Sequence, residues 1–263
     1  MARVRARSAA LLGALVMLGA CGGTSDDGSA ATTAGQPGDP TAATEPAGAT
    51  GLADTAPADT APAGTSATDA PGTGAGGAGV RCVVRLHGKG GQGGDTVIVD
   101  GIVELSPTGN ADGWGGREWR YFPDDRFAEA TAIVRDAIDG AGCSDVVVNG
   151  FSNGAAFAAK LWCRGETFDG RLRGVVIDDP VPDQATASCV PDPGVDAALY
   201  WTGALGSTAT PGADCGAIDW TCEGGSMIGI DAYAEAMGID VKPSPFDEHA
   251  WYWDAPEIVT MLG

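Results

Sequence analysis

Gly150-Phe151-Ser152-Asn153-Gly154 is the segment of this 263-residue chain with the clearest chemical meaning. It follows Asp145-Val146-Val147-Val148-Asn149, a valine-rich run that reads as a buried strand. It leads into Ala155-Ala156-Phe157, the start of a helical stretch. A serine on such a strand-to-helix turn is pushed out at the sheet edge, and the flanking glycines remove side chains that would clash with the turn and its neighbours. The helix N-terminus just beyond Ser152 favours negative charge developing beside it. The chemistry is attack by a hydroxyl, and a hydroxyl nucleophile needs a base. The chain has only two histidines, so any imidazole is His87 or His249. His87 opens a glycine-rich loop, Gly88-Lys89-Gly90-Gly91-Gln92-Gly93-Gly94. His249 lies late, in Asp247-Glu248-His249-Ala250-Trp251-Tyr252-Trp253.

The elements that must position these residues alternate between strand and helix. Cys82–His87, Thr96–Val99 and Ile102–Leu105 read as short strands, and 110–121 as a polar, tryptophan-bearing loop. Arg126–Ile138 carries Phe127, Ala130, Ile133, Val134, Ala137 and Ile138 at helical spacing. Further strands are expected at Asp145–Asn149, Gly174–Ile177 and Ala197–Thr202, with a short one at Ile239–Val241. Helices are expected at Asn153–Cys163, Ile228–Met237 and Ala255–Leu262. Continuous apolar strands alternating with helices predict an α/β fold around a mostly parallel sheet.

Composition divides the chain. Arg3, Arg5 and Arg7 precede an apolar stretch of 12 residues, 9–20. That is too short to cross a bilayer, which takes about 20, and it fits an export signal. It ends Leu18-Gly19-Ala20-Cys21, which resembles a bacterial lipobox; the resemblance implies cleavage before Cys21 and acylation of that cysteine. Residues 1–20 are therefore expected to be a lipoprotein signal. Residues 21–80, rich in Ala, Thr, Pro and Gly, are expected to be a disordered tether without enough apolar area to fold. Residues 81–263 form one domain, and the expected location is the outer face of a bacterial cell membrane, held through Cys21. All 17 aromatic residues lie from Trp114 onward. The balance of 35 acidic against 15 basic residues argues against a nucleic-acid partner. Beyond Cys21 six cysteines remain, an even number in an exported domain, which suggests three disulfides. The expected pairs are Cys82–Cys143, Cys163–Cys189 and Cys215–Cys222. No CxxC or HxxxH spacing points to a metal.

At the serine turn the sequence resembles the α/β-hydrolase superfamily over essentially 81–263. The resemblance implies Ser152 as nucleophile and His249, just before the last helix, as base. It also implies an oxyanion hole from the backbone N–H of Asn153 with one from Gly88 or Lys89, leaving His87 structural. One or two early strands of a full hydrolase are missing. Cys215-Gly216-Ala217-Ile218-Asp219-Trp220-Thr221-Cys222 resembles the disulfide-bracketed acid loop of cutinases, and Gly-Phe-Ser-Asn-Gly-Ala-Ala is similar to their Gly-Tyr-Ser-Gln-Gly-Ala-Ala. That likeness implies Asp219 as the triad acid, with Asp214, then Asp178 or Asp179, as alternatives. The HG loop departs from cutinases, and polyhydroxyalkanoate-depolymerase-like esterases are a second neighbour. The expected activity is hydrolysis of carboxylic esters through an acyl-enzyme, with no cofactor. With no insertion of 40 or more residues to act as a lid, the site is expected to be open and suited to a bulky or polymeric ester, with Trp114 and Trp119 as a substrate wall. An acyltransferase or peptidase on the same triad, and a non-catalytic binding lipoprotein, are the other readings.

Overall fold

The computed structural model describes residues 79–263. The expected signal, Cys21 and all but the last two residues of the tether lie outside them. The described chain runs β1 (Arg81–Leu86), β2 (Gly94–Val99), β3 (Ile102–Ser106), β4 (Ala111–Gly113), β5 (Gly116–Glu118), α1 (Asp124–Gly140), β6 (Asp145–Phe151) and α2 (Asn153–Cys163). It continues with β7 (Leu172–Asp178), β8 (Asp196–Trp201), α3 (Ile230–Met237), β9 (Val241–Pro243) and α4 (Pro256–Leu262), with short 3-10 turns between. Seven strands make one sheet in the order β2-β3-β1-β6-β7-β8-β9. All neighbours are parallel except the β2–β3 hairpin at one edge. The segment expected to be a loop at 110–121 instead holds the small β4–β5 hairpin.

Strand alternation sorts the core into two layers. Val84, Leu86, Val146, Val148, Val175 and Ile177 face α1, α2 and α3. Val83, Val147 and Val176 face the other way, against Ile258 and Leu262 of α4. Helices on both faces explain why the inner strands carry nearly unbroken apolar runs. At Gly174 the fit is close: a Cβ there would sit 2.3 Å from Met261 Sδ.

The three disulfides are Cys82–Cys143, Cys163–Cys189 and Cys215–Cys222, the pairs expected from the sequence. The first closes 61 residues of chain and ties β1 to the entrance of β6. In the chain-entropy picture a closure of that length contributes about 4 kcal/mol, against about 2.5 for the seven-residue Cys215–Cys222 clip.

Candidate active site

The sheet brings the functional side chains to the C-terminal ends of β1, β6 and β7. Ser152 stands between β6 and α2 with φ 53° and ψ −117°. A positive φ is unfavourable for a residue with a Cβ, and such strain clusters at functional sites. The glycines on either side are required by close backbone approach. A Cβ on Gly150 would lie 2.4 Å from Gly154 O, and one on Gly154 would lie 2.2 Å from Leu86 O. Ser152 N–H donates to Asp178 O at 3.0 Å, which fixes the turn to β7. Together with the sheet order, this serine turn defines the architecture. The fold is that of the α/β hydrolases.

The glycine loop after β1 is held by the β4–β5 hairpin. Gly90 N–H donates to Arg117 O at 2.9 Å and Arg117 N–H donates to Gly91 O at 2.7 Å. A Cβ on Gly116 would lie 2.1 Å from Gly90 O, so the two backbones touch. Among the described residues the N–H groups of Gly88, Lys89 and Asn153 have no protein acceptor. Gly88 lies against Ser152: a Cβ on it would be 3.2 Å from Ser152 Cβ. The Asn153 side chain is occupied, because its Oδ1 accepts from Trp119 N–H at 2.7 Å and its Nδ2 donates to Trp119 O at 3.1 Å. That clamp ties the hairpin's far end to the start of α2, a function invisible in the sequence. His87 is structural. Its Nε2 accepts from Gly109 N–H at 3.1 Å and its Nδ1 donates to Gly88 O at 2.8 Å. Burial pulls its pKa below the ordinary imidazole value, and Arg117 adds to the effect against the opposing Gly88 carbonyl. The ring is therefore neutral at pH 7.

His249 meets an acid, and the acid is not Asp219. His249 Nδ1 hydrogen-bonds to Asp179 Oδ2. Asp179 follows β7, is fully buried, and has a left-handed φ of 48° that turns it away from Asp178. Its carboxylate also accepts from Thr202 N–H at 3.1 Å and Thr202 Oγ1 at 2.9 Å. The expected pairing of Asp219 with the base is thus corrected. Asp219 is 82% exposed along its side chain and accepts at Oδ2 from Trp114 Nε1 at 2.8 Å. Its carbonyl accepts from Lys89 Nζ at 2.6 Å. The Cys215–Cys222 clip still serves the site, because it presents Trp220 and Thr221 to the cavity beside Ser152. Asp214 caps its own loop, accepting from Gly216 N–H at 2.8 Å.

Ser152 and His249 line one cavity of about 70 Å3, walled by Trp114, Val181, Trp220 and Thr221. They share it without a direct hydrogen bond; such bonds are often long before substrate arrives. The cavity is small, and two indoles, those of Trp114 and Trp220, border it. Trp119, expected in that wall, is instead core: it is fully buried and stacks on Phe157 at 5.2 Å. Beneath the wall Glu118 is a buried hub. It accepts from Thr221 Oγ1 at 2.6 Å, pairs with Arg120, and lies 3.4 Å from Lys89 Nζ. Among the described residues no group of three or more His, Cys, Asp or Glu is placed to hold a metal.

The segment after His249 is anchored by a row of buried polar side chains on the α4 face. Arg85 of β1 donates to Trp253 O, Asn149 of β6 accepts from Trp251 Nε1, and Asp178 of β7 accepts from Tyr252 N–H. Phe151 stacks on Trp251, at 5.7 Å, and packs at a tilt against His249, at 4.5 Å. Residues 251–253 therefore hold His249 in place by packing on the sheet. Burial raises the Asp178 pKa from its ordinary 3.8 to about 7; the Tyr252 N–H and His249 oppose this, and Asp179 adds to it. Between those values the folded chain keeps a proton there that the unfolded chain has released. Stability from this group therefore falls as pH rises through the window and levels off above it. Asp178→Asn keeps an acceptor for Tyr252 N–H and removes the titration. Its Tm should gain on the wild type as pH rises from about 4 to about 7; parallel Tm–pH curves would show that Asp178 is not the titrating group.

No protein-family model matches the chain, and no curated protein matches it. Among solved structures it is similar to the carboxylesterase of Bacillus cereus, at 18% identity over 70% of this chain and 86% of that one, with a TM-score of 0.43. It is similar to a carboxylesterase of Mesorhizobium loti at 15% identity over 69% and 86%, TM-score 0.41. It is similar to an esterase of Pyrococcus furiosus at 11% identity over 70% and 81%, TM-score 0.39.

Proposed function

We propose that the domain is a serine hydrolase of carboxylic esters, with Ser152 as nucleophile, His249 as base and Asp179 as acid. One arrangement carries the reading: a strained serine at a helix N-terminus shares a cavity with a histidine whose Nδ1 meets a buried carboxylate. Ser152 Oγ attacks the ester carbonyl carbon as His249 Nε2 takes its proton. The carbonyl electron pair moves onto oxygen, facing the N–H groups of Asn153 and of Gly88 or Lys89. Collapse of the tetrahedral species breaks the bond to the alkoxy oxygen, and His249 hands that oxygen the proton, releasing the alcohol. Water then attacks the acyl-serine, its proton passes through His249 back to Ser152, and the acid leaves. Asp179 accepts Nδ1–H throughout and so keeps Nε2 free to act as base. Covalent capture at Ser152 and loss of turnover in its alanine variant test the reading.

The tail belongs to the same proposal. The basic start, the short apolar run and Leu-Gly-Ala-Cys21 support an exported lipoprotein with the hydrolase domain held off a membrane by the 21–80 tether. Mass spectrometry of the mature N-terminal peptide should find diacylglycerol on Cys21; an unmodified or internal Cys21 would remove this part.

A further inference from the structure

We propose that Trp114, latched to Asp219, is the specificity-determining wall that restricts the acyl side of the site to short acids. This rests on the ester-hydrolase reading and names its substrate class. The cavity at Ser152, about 70 Å3, has about half the volume of the roughly 150 Å3 apolar cavity that takes up benzene. It accommodates an acyl group of about two or three carbons.

The wall is built to stay where it is. Trp114 and Gly115 form the two-residue turn between β4 and β5, both with positive φ, 40° and 79°. Glycine takes that conformation freely, while a tryptophan there is strained. Two contacts hold it: Nε1 donates to Asp219 Oδ2 at 2.8 Å, and the ring lies 4.9 Å from Lys89 Nζ. Each side of the latch has its own anchor. The hairpin is bonded to the glycine loop through Arg117, and the Asp219 loop is clipped by Cys215–Cys222 and docked through Thr221 on Glu118. On the far side of Trp114 lies a polar trough of about 540 Å3 bordered by Asp112, Glu118, Arg120 and Asp219. Lys89 and Trp114 border both spaces, so the indole is part of the partition between them. Removing it opens the small cavity toward the solvent-exposed trough, so that a longer acyl chain is no longer stopped at the wall.

The experiment is a nitrophenyl ester series from acetate to octanoate on the full-length protein, with kcat/KM as readout. A methylene accepted or refused by an apolar pocket is worth roughly 10- to 200-fold. The wild type should favour acetate over octanoate. Trp114→Ala should raise the octanoate-to-acetate ratio by at least about tenfold. Asp219→Ala should raise the ratio in the same direction, and it keeps the test alive if Trp114→Ala misfolds. Asp219→Asn retains an oxygen acceptor for Nε1 and should keep the wild-type ratio. A wild type that favours octanoate, or ratios that stay level in both Trp114→Ala and Asp219→Ala, would overturn the wall. No turnover and no fluorophosphonate adduct in the wild type would instead overturn the hydrolase reading and the wall with it.

Discussion

Ser152→Ala lowers kcat for nitrophenyl acetate by about four orders of magnitude or more, with little change in KM. The size follows from what is removed. The hydroxyl forms and breaks the bond to the acyl group, and no other hydroxyl stands at the mouth of this helix with the same strained backbone. KM should hold because the cavity walls, Trp114, Val181 and Trp220, are untouched. The fold should hold as well: the Ser152 backbone contacts, its N–H to Asp178 O and its carbonyl to Ala155 and Ala156 N–H, survive the substitution. A fluorophosphonate probe should add one label to the wild type, on Ser152, and none to the variant. A purified Ser152→Ala protein with wild-type turnover would move the chemistry elsewhere in the molecule.

The residues that could be read from sequence are those whose meaning is local. Ser152 is announced by a strand, a glycine pair and a helix within a few positions of it. The parallel α/β layers follow from valine runs alternating with amphipathic stretches. The acid was not legible because its choice is tertiary. Asp178 and Asp179 are adjacent and chemically identical, and the left-handed φ of Asp179 points one at His249 while the other turns into the α4 face. Asp219 is marked in sequence only by the spacing of two nearby cysteines, yet its partner Trp114 lies 105 residues away. The hairpin that carries Trp114 was also hidden. Ala111-Asp112-Gly113 and Gly116-Arg117-Glu118 have no strand pattern, and backbone pairing with each other and with Gly91 makes them strands. The same holds for Arg85, Asn149 and Asp178. In sequence they are polar interruptions of apolar runs; in the fold they form the row that anchors the segment after His249.

Asp179→Asn lowers kcat by about 10⁴-fold, while Asp219→Asn leaves the acetate rate within a few-fold of wild type. The first effect comes from the tautomer of His249. A carboxylate at Asp179 Oδ2 accepts the Nδ1 proton and leaves Nε2 unprotonated toward Ser152. An amide there can turn its NH2 to Nδ1, which stabilises the ring with its proton on Nε2 and no base facing the serine. The amide oxygen, at the Oδ1 position, still accepts from Thr202 N–H, and the Thr202 hydroxyl oxygen can accept from the amide NH2, so the strand ends stay together and the loss falls on kcat rather than on stability. Asp219 differs in kind. Its side chain is mostly in solvent and its bond is to Trp114, so losing that bond, as in Asp219→Ala, should change which acyl chain is accepted rather than whether His249 works as a base. Measuring both variants on one ester, with Tm recorded for each, separates the two acids. Loss of turnover in Asp219→Asn with near-normal turnover in Asp179→Asn would return the acid to the disulfide loop. The opposite result would make that loop a device for shaping the pocket, set beside a triad whose acid comes from the end of the strand next to the nucleophile.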